Sequence, residues 1–257
     1  MLMRIKIYQI DRSRDERRLR FCDYQAAQAK GGVRASEYKC VFHGYVDAGD
    51  LEDVYESFNT GFHGTHQGHS LSPSDLVEVC EGNEETAPGV YFCDRFGFAG
   101  LPEDFSTDAC APMEGLRVLM IEPNCPPVET RVRDKLKDWQ RAVSEAGEES
   151  LMEVTYPYAD DGVVIVGDEE AKLKNRTGNR YIGASVYAGT IFFVGDNGDG
   201  NFCDLTDEQV ETYSNLFAES EEISDEEVQA TLGFLFYNDV GHGSGSKLAS
   251  ALLIKIP

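Results

Sequence analysis

Alternation opens the chain. Across residues 4–10 the apolar Ile5 and Ile7 interleave with Arg4, Lys6 and Tyr8, the two-residue period of a strand with one apolar face. Charges at alternate positions leave no continuous apolar core of the kind a signal peptide needs, so the segment reads as an edge strand. Leu51, Val54, Tyr55 and Phe58 then fall at i, i+3, i+4 and i+7 behind Asp50, which predicts an amphipathic helix with a carboxylate cap. Residues 38–46 alternate as a strand, 76–79 form a short apolar strand, and Val90-Tyr91-Phe92-Cys93 is rich in strand formers ahead of Gly97. The arginines 12, 14, 17, 18 and 20, mixed with Asp11, Asp15 and Glu16, fit a hairpin of alternating charge.

The second half has longer apolar runs. Leu116-Arg117-Val118-Leu119-Met120-Ile121 is a strand closed by Pro123, and residues 135–146 form a helix with Leu136, Trp139 and Val143 on one face, ended by Gly147. Val163-Val164-Ile165-Val166 and Thr190-Ile191-Phe192-Phe193-Val194 are nearly unbroken, which predicts central strands buried on both faces. Two capping boxes, Thr206 with Gln209 and Ser224 with Glu227, start helices carrying Val210, Tyr213 and Phe217, then Val228 and Leu232. Residues 248–256 read as a last strand.

Between the halves, residues 101–112 hold two prolines, three acids and no apolar period, the composition of a linker. The fold class expected is therefore α+β, with two small domains, each a mixed or antiparallel sheet with a few helices. The first spans residues 1–100, the linker 101–112, the second domain 113–220, and a helix-and-strand extension 221–257.

Charge changes the picture of what such a protein can touch. The chain of 257 residues has 23 Lys plus Arg against 46 Asp plus Glu, a net charge of −23, so phosphate backbones and anionic membranes are repelled at long range. From residue 181 to 246 there is no Lys or Arg at all, while thirteen acids accumulate. Lacking cations of its own, this stretch is not laced by internal salt bridges and offers Glu219, Glu221, Glu222, Asp225, Glu226 and Glu227 to a basic partner. Seven cysteines, widely spread and without a Cys-x-x-Cys, argue against a disulfide framework or a zinc ribbon, and the protein is expected to be cytoplasmic.

Candidate chemistry is sparse. His63, His66 and His69 recur every third residue with Asp75 beyond, a spacing that suits a metal only on a helix; Gly61, Gly64 and Gly68 favour a solvated loop instead. A nucleophilic pairing of Cys80 or Cys93 with a histidine depends on folding. Residues 196–201 resemble a calcium loop, yet the register starting at Asn197 puts Phe202 where the turn glycine belongs. Residues 241–247 miss the phosphate-loop pattern, because Ser246 separates Gly245 from Lys247. In Ser70-Leu71-Ser72-Pro73-Ser74-Asp75, Asp75 can accept turn N–H bonds ahead of the next strand; Ser72 and Asp75 are the alternative binding pair.

That serine–aspartate run carries a resemblance. With Arg4-Ile5-Lys6-Ile7-Tyr8-Gln9-Ile10, the helix from Leu51 to Asn59, and Tyr91-Phe92-Cys93-Asp94-Arg95-Phe96-Gly97-Phe98, it resembles the YodL-like domain over residues 3–101. Val118-Leu119-Met120-Ile121-Glu122-Pro123, Val154-Thr155-Tyr156-Pro157-Tyr158 and Ala188-Gly189-Thr190-Ile191-Phe192-Phe193-Val194-Gly195 resemble a small domain of unknown function from phages and conjugative elements. The tandem implies an accessory protein of a bacterial mobile element or prophage, in the company of antirestriction proteins. For YodL-like proteins it also implies links to cell shape and the actin-like cytoskeleton. It implies no catalytic residue. The expectation is a protein that is not an enzyme, needs no cofactor, and binds a basic host or element-encoded protein, without direct contact to nucleic acid or membrane. The alternative is a metal-dependent enzyme built on His63, His66 and His69.

Overall fold

The computed structural model describes residues 1–158, 161–183 and 185–231. In the first half, β1 (Leu2–Ile10), β2 (Tyr38–Asp47), β3 (Leu76–Glu81), β4 (Gly89–Cys93) and β5 (Phe98–Gly100) form an antiparallel sheet in the order β2-β1-β3-β4-β5. The first strand is thus interior, not an edge. Its period of two explains how: Met3, Ile5 and Ile7 face a core with Val54 and Phe58 of α2 (Leu51–Thr60), while Arg4, Lys6 and Tyr8 line the other face. A charged strand can be central here because that second face is only partly closed. Helix α2 starts where the pattern placed it, with the Asp50 carboxylate accepting from the Asp53 N–H at 2.9 Å.

The arginine-rich stretch is a series of turns, not a hairpin. Arg17 forks onto Glu37 and donates to the carbonyls of Lys30 and Gly32, both at 2.8 Å, ahead of α1 (Tyr24–Ala29) and the 3-10 turn Ala35–Glu37.

The second sheet contains β6 (Leu116–Ile121), β7 (Val128–Val132), β8 (Met152–Thr155), β9 (Val163–Asp168), β12 (Ile191–Asp196) and β13 (Phe202–Cys203). Its order is β7-β6-β12-β9-β8, with β13 paired to β12, again antiparallel throughout. The apolar runs are central strands buried on both faces, as their pattern predicts. Val118, Val164, Phe192 and Val194 pack under Trp139 of α3 (Leu136–Val143), and Leu119, Ile165 and Phe193 pack under Tyr213 of α4 (Asp207–Leu216). Helix α3 ends four residues before Gly147, and Leu136, assigned to its buried face, is exposed; Ala142 takes that place. A hairpin of β10 (Gly178–Ile182) and β11 (Ser185–Ala188) packs Val186 and Ala188 on Ile223 and Val228. Both capping boxes form, and residues 225–231 are helical. Leu232, the 241–247 loop and the 248–256 strand lie outside the described residues.

The two halves are docked. Residues 101–112 do not hang free as a linker: the Cys40 N–H donates to the Ala111 carbonyl at 2.8 Å, the Ala111 N–H donates to that of Tyr38 at 2.9 Å, and Leu101, Phe105 and Cys110 pack on the first domain's core. Across the junction the Gln67 amide exchanges bonds with the Glu114 backbone at 2.9 and 3.0 Å, Lys39 pairs with Glu114, and Tyr45 joins the Trp139 core.

Candidate functional site

The Gly/His loop between α2 and β3 is the part of the first domain pressed against α3. The His63 ring stacks on Phe58 at 3.9 Å between centroids, with Nε2 2.8 Å from the Ser57 hydroxyl, and His66 meets Phe58 edge-on at 5.2 Å. Burial pushes both imidazoles down to about 4, so they stay neutral at physiological pH. His63 and His66 are therefore packing groups at a junction, not members of a solvated loop; the glycine signal reflected close approach. A Cβ on Gly64 would lie 2.6 Å from the Arg141 carbonyl oxygen, so only glycine lets the loop reach α3. His69 turns away onto its neighbour's Ser70 carbonyl at 2.7 Å. Among the described residues no three His, Cys, Asp or Glu side chains are grouped so as to hold a metal ion.

Asp75 is the hub of the serine-rich run. Its Oδ2 accepts from the Ser72 N–H at 2.9 Å and from Gln9 Nε2 at 3.0 Å, while Gln9 also receives the His69 N–H and donates to the His69 carbonyl. Ser74, at φ 79°, takes the left-handed conformation that closes the turn, and Tyr38 donates to its carbonyl at 2.9 Å. At 2% exposure Asp75 meets no partner's surface directly, so its place in the suggested binding pair is corrected to that of a turn-builder; Ser72 is half-buried.

The acidic stretch divides into two groups. Asp207 pairs with Arg117 Nη1 at 2.5 Å, and Asp204 accepts the Arg117 backbone N–H at 2.7 Å and lies 3.9 Å from Arg131 Nη1, so arginines from outside the stretch do lace part of it. Glu221 accepts the Tyr181 N–H, and Glu227 accepts from Ser224 and from the Tyr181 hydroxyl, each at 2.7–2.9 Å. These four acids hold the fold. Glu208, Glu211, Glu219, Glu222, Asp225 and Glu226 are exposed and join no ion pair among the described residues. Leu216, exposed at the end of α4, lies between Glu211 and Glu219 in the chain. In the loop 196–201 the Asp196 and Asn197 side chains bend back onto the N–H groups of Gly198 and Asp199 at 3.0 and 2.9 Å.

Nucleophile chemistry finds little support. Burial pushes the Cys93 thiol up to about 12 and raises that of Cys80, leaving neither as a thiolate at neutral pH. One acid stands apart: Glu122 faces a cavity of about 180 Å³ shared with His63 and Thr65 across the domain junction, and burial lifts its carboxyl to about 7. Glu122 carried no sequence signal beyond its place before Pro123.

Two docked antiparallel α+β domains, with a built turn motif, a buried histidine junction and exposed acids along α4 and the segment after it, define a two-domain protein. Residues 4–105 match the family model of the YodL-like domain, and residues 116–218 match that described as Domain of unknown function (DUF3846); the chain carries these two domains in tandem. No curated protein and no solved structure matches it. Among the described residues no helix is long and apolar enough to cross a membrane.

Proposed function

We propose that the protein acts by binding, as a non-enzymatic accessory protein of a bacterial mobile element or prophage, presenting its acidic face to a basic host or element-encoded protein. The observation that carries this reading is the set of six exposed acids along α4 and the following segment, with no cation in that segment and Leu216 exposed between Glu211 and Glu219 in the chain. Acids so exposed repel nucleic acid and attract proteins that bind it, and the exposed leucine offers an apolar contact. Antirestriction by mimicry of DNA is the specific form the proposal takes.

The test is competition. Full-length protein is titrated into complexes of labelled duplex with purified restriction and nucleoid proteins. It should displace the duplex, less so as salt rises. Replacing Glu208, Glu211, Glu219, Glu222, Asp225 and Glu226 by Lys should abolish displacement while keeping the fold, since exposed charges contribute little to stability. Failure of the unmodified protein to displace duplex from any member of the panel, or undiminished displacement by the reversed variant, rejects the reading. The metal-enzyme alternative gains nothing from geometry, because His63 and His66 are spent on Phe58 and His69 points elsewhere.

A further inference from the structure

A cleft of about 490 Å³ opens where the polar face of β1 meets the edge strand β7 of the second domain, roofed by residues 107–113. That volume is within the range of about 300–1,000 Å³ typical of small-molecule sites, and domain junctions are where such sites recur. The register of the first sheet builds one wall: Lys6 stands opposite His43 on β2 and Glu78 on β3, and Tyr8 opposite Cys40 across a bulge that skips Val41. The second domain contributes Glu129 and Arg131 from the opposite side.

The charges in this cleft run against the charge of the chain. Arg4, Lys6 and Arg131 line it with only Glu129 and Asp108 as acids, inside a protein of net charge −23. Glu129 is already neutralised, both of its oxygens taken by Arg117 at 2.8 and 2.9 Å, and Arg4 is matched by Glu81 at 2.7 Å. Lys6 and Arg131 are the loosely compensated pair. The nearest carboxylate to Lys6 is Glu78 at 3.9 Å, whose Oε2 is engaged by the Tyr8 hydroxyl at 2.5 Å and Thr107 at 3.0 Å; Arg131 has Asp204 at 3.9 Å. Each cation is about one-third exposed, too dry to be indifferent to a counter-charge and open enough to receive one. One buried nitrogen bordering the same cleft, Arg4 Nε, has no hydrogen-bond partner among the described residues.

We propose that this cleft binds a small organic anion, its carboxylate or phosphoryl group held between Lys6 and Arg131 from the two domains and its less polar body against Cys40, Cys110 and Met113. The acidic face and the cleft are separate surfaces, so neither reading depends on the other. Binding here fastens the two domains together, because the anion takes one cation from each.

The experiment uses the full chain, calorimetry, and methyl spectra with carbon-13 on its five methionines. The probes are ribose 5-phosphate, citrate and, as the uncharged control, ribose; the first two distinguish a phosphoryl from a carboxylate ligand. One of the anions should bind with one-to-one stoichiometry and shift the Met113 methyl resonance while leaving that of Met152, on β8, in place. Lys6→Met and Arg131→Met should each weaken binding about ten-fold or more, the scale of one charge-assisted contact. Arg131→Lys, which keeps the charge, should retain most of it and guards against loss through misfolding. The proposal is overturned if neither anion saturates below about 1 mM, an affinity floor of about −4 kcal/mol, if ribose binds as well, or if either Met variant binds undiminished.

Discussion

Arg141 of α3 donates Nη1 to the carbonyl oxygen of His66 at 2.6 Å and Nη2 to that of His63 at 3.2 Å, so one side chain of the second domain holds the backbone on either side of Gly64 in the first domain's Gly/His loop. Its guanidinium also lies 5.5 Å from the centre of the Phe62 ring. The loop can come this close only because Gly64 has no side chain. Gly64→Ala should cost about 1–3 kcal/mol, the usual penalty for overfilling a packed contact with backbone on the other side. Denaturant unfolding of the unmodified protein should show one transition seen by probes in both domains. In the variant the midpoint should fall, and two separable transitions in the unmodified protein would contradict the docking.

Protease sensitivity is expected away from the 101–112 stretch, despite its prolines. That segment is bonded to β2 through Ala111 and its Thr107 hydroxyl donates to Glu78, whereas residues 197–201 are exposed and bonded mainly to themselves. Mass spectrometry of early digestion products should place the first cut in 197–201. A first cut between 101 and 112 would mean the segment leaves its groove readily.

Stability should depend on pH in two opposite ways at the same junction. Glu122 has its folded carboxyl raised from 4.5 to about 7, so its contribution is intact below 4.5 and is lost as pH rises through 7. The full loss is about 3 kcal/mol. Glu122→Gln should therefore be more stable than the unmodified protein at pH 8 and no more stable at pH 4.5. His63 and His66 run the other way: lowered from 6.5 to about 4, they contribute above 6.5, and that contribution is lost as pH falls towards 4. His66→Phe should flatten the acid limb. Thermal melts across pH 4–8 check both, and parallel curves for all three proteins would refute the assignment.

The turn motif offers a clean separation of structure from recognition. Asp75→Ala leaves the half-buried Ser72 N–H without its acceptor and takes one of two acceptors from the Gln9 amide, which keeps the His69 carbonyl at 2.8 Å, a loss of about 1–3 kcal/mol in all. Ser72→Ala removes only a hydroxyl bonded to the Ser70 carbonyl at 2.9 Å and should be nearly neutral. Denaturant midpoints give the comparison, and a Ser72→Ala loss as large as that of Asp75→Ala would show that the hydroxyl, not the carboxylate, builds the turn.

Periodicity by itself determined most of the secondary structure and the α+β class; that every strand pair is antiparallel came from the tertiary structure. An alternating strand, an i/i+3/i+4/i+7 helix behind Asp50, two capping boxes and two unbroken apolar runs are local statements, settled by side-chain direction and backbone hydrogen bonding within a few residues. The acidic bias of the second half was equally plain, because charge is composition. Only the tertiary structure decided where long-range partners fall. It made β1 interior by supplying β3 from seventy residues away, and it gave Asp204 and Asp207 their partner in Arg117. It turned the glycines around His63 and His66 from a sign of mobility into a condition of close contact with α3. Lys6 and Arg131 come to face one cleft for the same reason: two separately legible strands reach each other only when the domains dock, and docking depends on shape and burial summed over both surfaces.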